Sequence, residues 1–344
     1  VLRDRLAARL VGALPAPPTE AELRASTAVI APVPAGTPRP RWSVMIPTYN
    51  CAAYLRHTLA SVLAQDPGPD AMQIAVVDDG STRDDPGAVV AEVGRGRVEF
   101  LPNPKNLGPT ATFNVCLERA RGTWVHVLHG DDLVLPGFYA ECDALAARWP
   151  DVTMIGGTVV TMDEHGRWLS LIGPEPALAG VVFTDFLERA AVQQLFQFAG
   201  VAVRRDAYER LGGFCTVFGH VADWDMWFRL GLSAPVACTS RPYGCFRIHG
   251  ASDTNQQKRS GMDIHEEYLV MRANLARLGR DDAAGVQAIR RRLAKRALRN
   301  AKKLRAKGFP DGRLAQTRWA LRLDPTPRTL SAWVRARLAM AYSR

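Results

Sequence analysis

Three stretches decide the reading of this chain: WSVMIPTYN at residues 42–50, MQIAVVDDGSTRDD at 72–85, and NLGPTATFNVCLERARGTWVHVLHGDD at 106–132. Ser43–Pro47 reads as a short buried strand, followed by a helical period over Ala53–Ala64. Met72–Val77 is the next strand and a polar helix near Asp84–Val93 follows it. Val98–Leu101 is then strand, the residues after Gly108 are helix to about Ala120, and Thr123–Leu128 is strand. Four strands alternating with helices in under ninety residues predict a mostly parallel α/β sheet covered on both faces. In such sheets ligands bind beyond the carboxyl ends of the strands. Thr48-Tyr49-Asn50, Asp78-Asp79 and Asp131-Asp132 all fall at those ends, so they are expected to form one site.

Outward from this core the pattern loosens. Ala31–Pro40 (APVPAGTPRP) reads as a linker, because proline disrupts both helix and central strand. Before it, VLRDRLAARLVGALP suits a short amphipathic helix with Leu2, Leu6, Leu10 and Val11 along one face. Val152–Met162 reads as one strand entering a turn at Glu164-His165-Gly166. A strand and short helix over Gly200–Leu211 stop at Gly212-Gly213. Ala222–Leu230 is helix, Val236–Ile248 strand, and Gly250–Gln257 a polar loop. From about Asp263 the chain turns helical, with breaks near Gly308-Phe309-Pro310 and Asp324-Pro325, and suggests an antiparallel helical pair. The expected organisation is residues 1–40 as helix and linker, 41–262 as an α/β domain, and 263–344 as a basic helical region.

The 344 residues carry 44 Lys+Arg and 34 Asp+Glu, a net charge of +10. That charge is uneven: from Arg272 onward 20 basic residues face 4 acidic ones, whereas 24 face 30 before it. The 272–344 region is thus suited to phosphate-bearing partners, an anionic membrane surface among them. A helical pair that packs on the body or forms a homo-oligomer is the open alternative. The region's only tryptophans are Trp319 and Trp333, too few for a base-stacking surface, so no nucleic acid partner is expected. The six cysteines show no CxxC pair or zinc-ligand spacing and read as reduced. With no apolar run near the ~18 residues needed to span a bilayer, this predicts a cytoplasmic protein, peripheral at most at the inner face of the membrane.

Asp131-Asp132 ends an apolar strand, and adjacent carboxylates there suit a hard divalent cation such as Mn²⁺ or Mg²⁺. A bare Asp-Asp pair is otherwise a solvated turn or helix cap; a second acidic turn one βα unit earlier favours the site. At Asp78-Asp79, one carboxylate is expected to cap the helix near Asp84 and the other to accept the N3–H of a pyrimidine. A sugar nucleotidyltransferase calls for a glycine-rich basic loop after the first strand. Thr48-Tyr49-Asn50-Cys51-Ala52 has neither glycine nor lysine.

In order and spacing, SVMIPTYN, IAVVDDGSTRDD and the 106–132 stretch resemble three blocks of the inverting family 2 glycosyltransferases of GT-A fold. ADWDMWFRL at 222–230 resembles that family's acceptor-side motif, and FRIHGAS at 246–252 its C-terminal histidine segment. The resemblance spans about Trp42–Asn255, and it implies that 41–262 is a catalytic domain with 41–132 as its nucleotide-binding half and 133–262 as its acceptor half. It implies a GT-A-type Rossmann-like sheet and transfer of a sugar, with inversion, from a nucleoside diphosphate to an acceptor hydroxyl. The donor is expected to be a UDP-sugar first and a dTDP-sugar second. The acceptor would be a glycan or lipid-linked molecule in cell-surface or exported glycan synthesis. Pro47, Thr48, Tyr49, Asn50, Asp79, Gly108, Asn114 and Asp131 are the implied nucleotide-side residues, and Asp132 the principal metal ligand. The family often has another Asp two positions before Asp131; here it is His129. Asp223 matches the catalytic base, with Trp224 and Asp225 toward the acceptor. His249, by its position alone a polar residue at a strand end, is implied as part of the metal or diphosphate shell.

Overall fold

The computed structural model describes residues 2–175, 180–250 and 253–341. In chain order the first elements are α1 (Leu2–Val11), α2 (Glu20–Ala25), β1 (Trp42–Thr48), α3 (Ala52–Leu63), β2 (Met72–Asp78), α4 (Pro86–Gly94) and β3 (Glu99–Pro102). Next come α5 (Pro109–Arg119), β4 (Trp124–Val127), β5 (Leu133–Val134), α6 (Phe138–Arg148), β6 (Met154–Gly156), β7 (Val159–Met162) and β8 (Trp168–Ile172). α7 (Phe186–Ala190), β9 (Val201–Arg204), α8 (Arg205–Leu211), α9 (Ala222–Ser233), β10 (Val236–Cys238) and β11 (Gly244–Arg247) follow. Five helices remain: α10 (Asp253–Ser260), α11 (Met262–Arg277), α12 (Ala283–Ala306), α13 (Pro310–Leu323) and α14 (Pro327–Ala341).

The chain divides into two compact units, one of Arg24–Ile248 and one built from both ends, Val1–Leu23 with His249–Arg344. The sequence pattern alone suggests divisions at 40 and 262. In the larger unit a seven-stranded sheet has the order β10-β6-β9-β4-β1-β2-β3. β3, β2, β1 and β4 are parallel, whereas β9 runs antiparallel to both β4 and β6. Every residue of β1 and β2 is buried, as expected for strands with helices on both faces. Their polar members are satisfied internally: the Ser43 hydroxyl donates to Gln73 Oε1 at 2.6 Å and accepts the Gly122 N–H at 2.7 Å. A second sheet has the order β5-β11-β7-β8.

Two expected strands prove to be two each. Val152–Met162 breaks at Gly156-Gly157, and its halves enter different sheets. A Cβ on Gly156 would lie 2.8 Å from the Phe196 ring, and one on Gly157 only 1.9 Å from Thr239 Oγ1. Glycine permits this tight crossing between sheets. Val236–Ile248 likewise splits into β10 and β11, separated by a segment containing Pro242. The polar stretch expected as a loop over Gly250–Gln257 is helical from Asp253, and residues 251 and 252 lie outside the described residues.

The smaller unit holds four long helices after α10 rather than one helical pair. α1 packs on it through Ala7 and Val11, which cluster with Leu321 and Trp333. Of the expected face Val11 is buried, whereas Leu6 and Leu10 are exposed and the Leu2 side chain lies outside the described residues. Among the described residues, no helix is long and apolar enough to cross a membrane. All six cysteines are free thiols.

Candidate active site

Parallel pairing brings three strand ends together. β1 and β2 align Thr48 with Asp78, and the Asp79 N–H donates to the Thr48 carbonyl at 2.9 Å. The Gly130 N–H donates to the Pro47 carbonyl at 2.9 Å, which seats the turn after β4 against the end of β1. A Cβ on Gly130 would come within 2.9 Å of Thr48 Oγ1 and 3.2 Å of Cys51 Sγ, so the approach depends on glycine. Asn50 takes the left-handed conformation (φ 51°), and its Oδ1 accepts the N–H groups of Thr82 and Arg83, both at 2.9 Å. It thereby clamps the first βα loop to the second. Tyr49 beside it is exposed.

Both aspartates of the second turn organise backbone. Asp78 accepts the Ser81 hydroxyl at 2.6 Å and the Ser81 N–H. Asp79 accepts the Leu107 and Gly108 N–H groups at 2.8 and 3.0 Å and the Asn103 amide at 3.0 Å. It fixes the loop that opens α5, whose N-cap is Gly108 with φ 85°. Neither caps α4; Asp85 does so, accepting the Ala88 N–H at 2.9 Å. That corrects the expected division of labour between the pair. Asn114 is also spoken for: its side chain donates to the Phe214 carbonyl and accepts the Phe214 N–H. Its role here is to pin α5 to the segment before α9.

After β4, the ligand atoms of His129, Asp131 and Asp132 lie within 4.8 Å of one another. Phe113 stacks on the His129 ring at 5.0 Å and 15°, fixing the plane of the imidazole. Asp132 is buried, and its Oδ1 accepts the Arg247 N–H at 2.8 Å. Burial and then the Asp131 charge hold its carboxyl well above the ordinary range. Arg247 also donates through Nε to the Asp131 carbonyl at 2.7 Å and lies 4.7 Å over the Tyr54 ring. The sequence reading missed this arginine, although it stands two residues before His249 inside a quoted motif. The two carboxylates are donors that suit Mn²⁺ or Mg²⁺, while the imidazole is a softer ligand than either ion prefers. His249 opens the other unit and is not in this group. Cys51, pushed up to about 12 by burial and by the Asp131 charge, is held as a neutral thiol.

A cluster of rings connects this group to α9: Phe113 and His129 both contact Phe198, and Phe198 and Phe214 both meet Trp227. The first turn of α9 holds Asp223, buried, its carboxyl pushed up to about 7 by desolvation. Its Oδ2 accepts the Gln194 amide at 2.6 Å and its Oδ1 the Trp224 N–H at 2.7 Å. Gln194, too, was missed, since nothing near it in sequence marks it as a partner for a residue 29 positions on. Trp224 and Asp225, expected toward the acceptor, are both buried. The Trp224 indole donates to the Ala190 carbonyl at 2.6 Å, and Asp225 pairs with Arg229 at 2.8 Å in the interior. Residues i and i+2 of a helix face different ways, so Asp223 and Asp225 stand in different surroundings.

The model of the family described as Glycosyl transferase family 2 matches residues 43–212, a span that holds all three strand-end turns. The chain belongs to this family. One relative, an uncharacterized protein of Mycobacterium tuberculosis, is 30% identical over 245 residues, covering 68% of this chain and 75% of its own. Among solved structures, that of S. aureus TarS 1-349 in complex with UDP-GlcNAc has a TM-score of 0.56 at 20% identity, over 86% of this chain and 79% of that one. The mannosyltransferase PcManGT from Pyrobaculum calidifontis, in complex with GDP-Man and Mn²⁺, has a TM-score of 0.53 at 20% identity, over 99% and 93%. The glycosyltransferase is thus of the GT-A fold, with a mostly parallel sheet and a helical region at its C-terminal end.

Proposed function

We propose that this glycosyltransferase moves a sugar from a nucleoside diphosphate to an acceptor hydroxyl by a single displacement that inverts the anomeric carbon. The observation that carries the reading is Asp223, a buried carboxyl whose pKa of about 7 suits a base that must take and release a proton near neutrality. The Gln194 amide and Trp224 N–H hold the carboxylate in one orientation. Asp223 takes the acceptor O–H proton as the oxygen bonds to the sugar carbon, and the carbon–phosphate oxygen bond breaks with its electron pair leaving on the diphosphate. No protein nucleophile is required, in keeping with the neutral thiol of Cys51.

His129, Asp131 and Asp132 would hold a divalent cation, and Asp131, half-buried where Asp132 is fully buried, is the ligand a hydrated ion can reach. Bound there, the ion supplies positive charge to the leaving diphosphate. We read the donor as a UDP-sugar before a dTDP-sugar. A carboxylate offers about four lone-pair positions, so Asp79, with three donors, retains one for a pyrimidine N3–H. TarS binding UDP-GlcNAc supports this choice and PcManGT binding GDP-Man sets its competitor. Cell-surface or exported glycan synthesis, with a glycan or lipid-linked acceptor, follows from the family resemblance, and the six free thiols support a cytoplasmic setting.

A thermal-shift panel of UDP-, dTDP- and GDP-sugars, each with and without Mn²⁺, tests donor and metal together, because a ligand of the native state raises its Tm. The anomeric configuration of the product, read by proton NMR, tests the mechanism. A retained configuration overturns the single displacement.

A further inference from the structure

The helical unit carries two surfaces that the transfer chemistry does not use. α12 is 24 residues long, about 36 Å at 1.5 Å per residue. It contains no Asp or Glu. Its inner side buries Ile289, Leu293, Ala297 and Leu304. Its outer side exposes Arg291, Lys295, Arg299 and Lys302, one residue per turn, with Arg292 and Lys303 beside them. The neighbouring Arg290 and Arg296 are engaged by Asp4 and Glu267.

The second surface lies on α1 and α14, which share the cluster of Ala7, Val11, Leu321 and Trp333. Beyond that cluster each helix exposes an apolar pair four residues apart. These are Leu6 and Leu10, 53% and 43% exposed, and Val334 and Leu338, 39% and 51% exposed. Arg5, Arg9, Arg335 and Arg337 stand exposed around them. Apolar side chains ringed by arginine on an amphipathic helix match the interface of a bilayer, where the aliphatic part enters the acyl boundary and the guanidinium meets headgroup phosphate.

We infer that the helical unit docks this enzyme on an anionic phospholipid surface, the α12 cations supplying the attraction and the α1 and α14 leucines the insertion. A nucleic acid would meet the same cations but would leave the two apolar pairs without a role. The unit's tryptophans, Trp319 and Trp333, are buried and offer bases no stacking platform. The inference does not rest on the transfer reading, since it uses none of the residues assigned to the strand-end site.

Sedimentation of the full chain with phosphatidylcholine vesicles, with or without phosphatidylglycerol, tests it. Binding is expected only to the anionic vesicles and should weaken as salt is raised. The combined variant Arg291→Gln, Lys295→Gln, Arg299→Gln, Lys302→Gln should lower partitioning by on the order of a hundred-fold or more, at unchanged Tm because all four side chains are exposed. Leu6→Ser with Leu338→Ser should remove the part of the binding that survives high salt. Equal sedimentation with both kinds of vesicle, or by the four-residue variant and the parent, overturns the inference. So does displacement from vesicles by duplex DNA at matched phosphate concentration, which assigns the face to nucleic acid.

Discussion

Replacing Asp223 by Asn separates what the carboxylate does for catalysis from what it costs the fold. The carboxyl is buried and its pKa stands near 7, against about 3.9 for an aspartate in an unfolded chain. Between those two values the folded protein holds a proton that the unfolded chain has released, so stability falls as pH rises and levels off above about pH 7. The side chain's favourable contribution is fully present below the unfolded pKa and lost as pH passes the folded one. At 1.36 kcal/mol per unit, the wild type loses about 2 to 3 kcal/mol from this group between about pH 5 and pH 8. The asparagine of the variant does not titrate. Its oxygen can keep the Trp224 N–H, and Gln194 can turn its amide to present an oxygen to the new NH₂. Variant and wild type should therefore lie close at pH 5 and diverge upward, the variant melting roughly 4 to 12 °C higher, relative to the offset at pH 5, by pH 8. Over the same range its transfer rate should be down by about 10² to 10⁴, with nucleotide affinity kept. Scanning fluorimetry across pH, paired with a product assay on the true acceptor, reads both. A constant offset between the melting curves removes the charge from the argument, and wild-type turnover removes Asp223 from the mechanism.

Other expectations follow from the same geometry. Asp131→Asn should abolish the Mn²⁺-dependent part of nucleotide stabilisation while leaving the apo Tm within a few degrees; unchanged metal affinity by calorimetry would show that the ion sits elsewhere. Gly130→Ala forces a methyl against the Thr48 side chain and Cys51 and should cost about 1 to 3 kcal/mol in chemical denaturation, with weaker donor binding. Arg229→Met removes the ion pair of the buried Asp225 carboxylate and should destabilise by about 3 to 5 kcal/mol, a loss that Asp223→Asn does not share. Asp79→Ala removes the acceptor of the Leu107 N–H and one of the two acceptors of the Gly108 N–H, the other being Asn106 Oδ1 at 3.1 Å. It should cost about 1 to 3 kcal/mol and lower affinity for every nucleotide.

The βα core was legible because its strands are continuous apolar runs and its polar residues gather at their ends. Met72–Val77 and Thr123–Leu128 were placed to within a residue of β2 and β4. What escaped was set by contacts distant in sequence. The Gly156-Gly157 break depends on Phe196 and Thr239, which no local pattern reports. Asp79 and Asn114 carry the residue types of a ligand site, yet much of their bonding capacity goes to backbone groups that must be paired once buried. Arg247 and Gln194 show the converse. Ordinary by type, they matter through the carboxylates they meet.

The helical unit is closed by residues from opposite ends of the chain, and this orders events during synthesis. Ala7 and Val11 leave the ribosome before Leu321 and Trp333, with which they are buried and which arrive some 310 residues later. At about 5 to 20 residues per second, that is a wait of roughly 15 to 60 s. The Arg24–Ile248 unit is complete well before its end and can fold in the interval. For that period α1 is a nascent amphipathic segment with both its leucine side and its Ala7–Val11 side open, which makes it a natural handle for a chaperone acting on the growing chain.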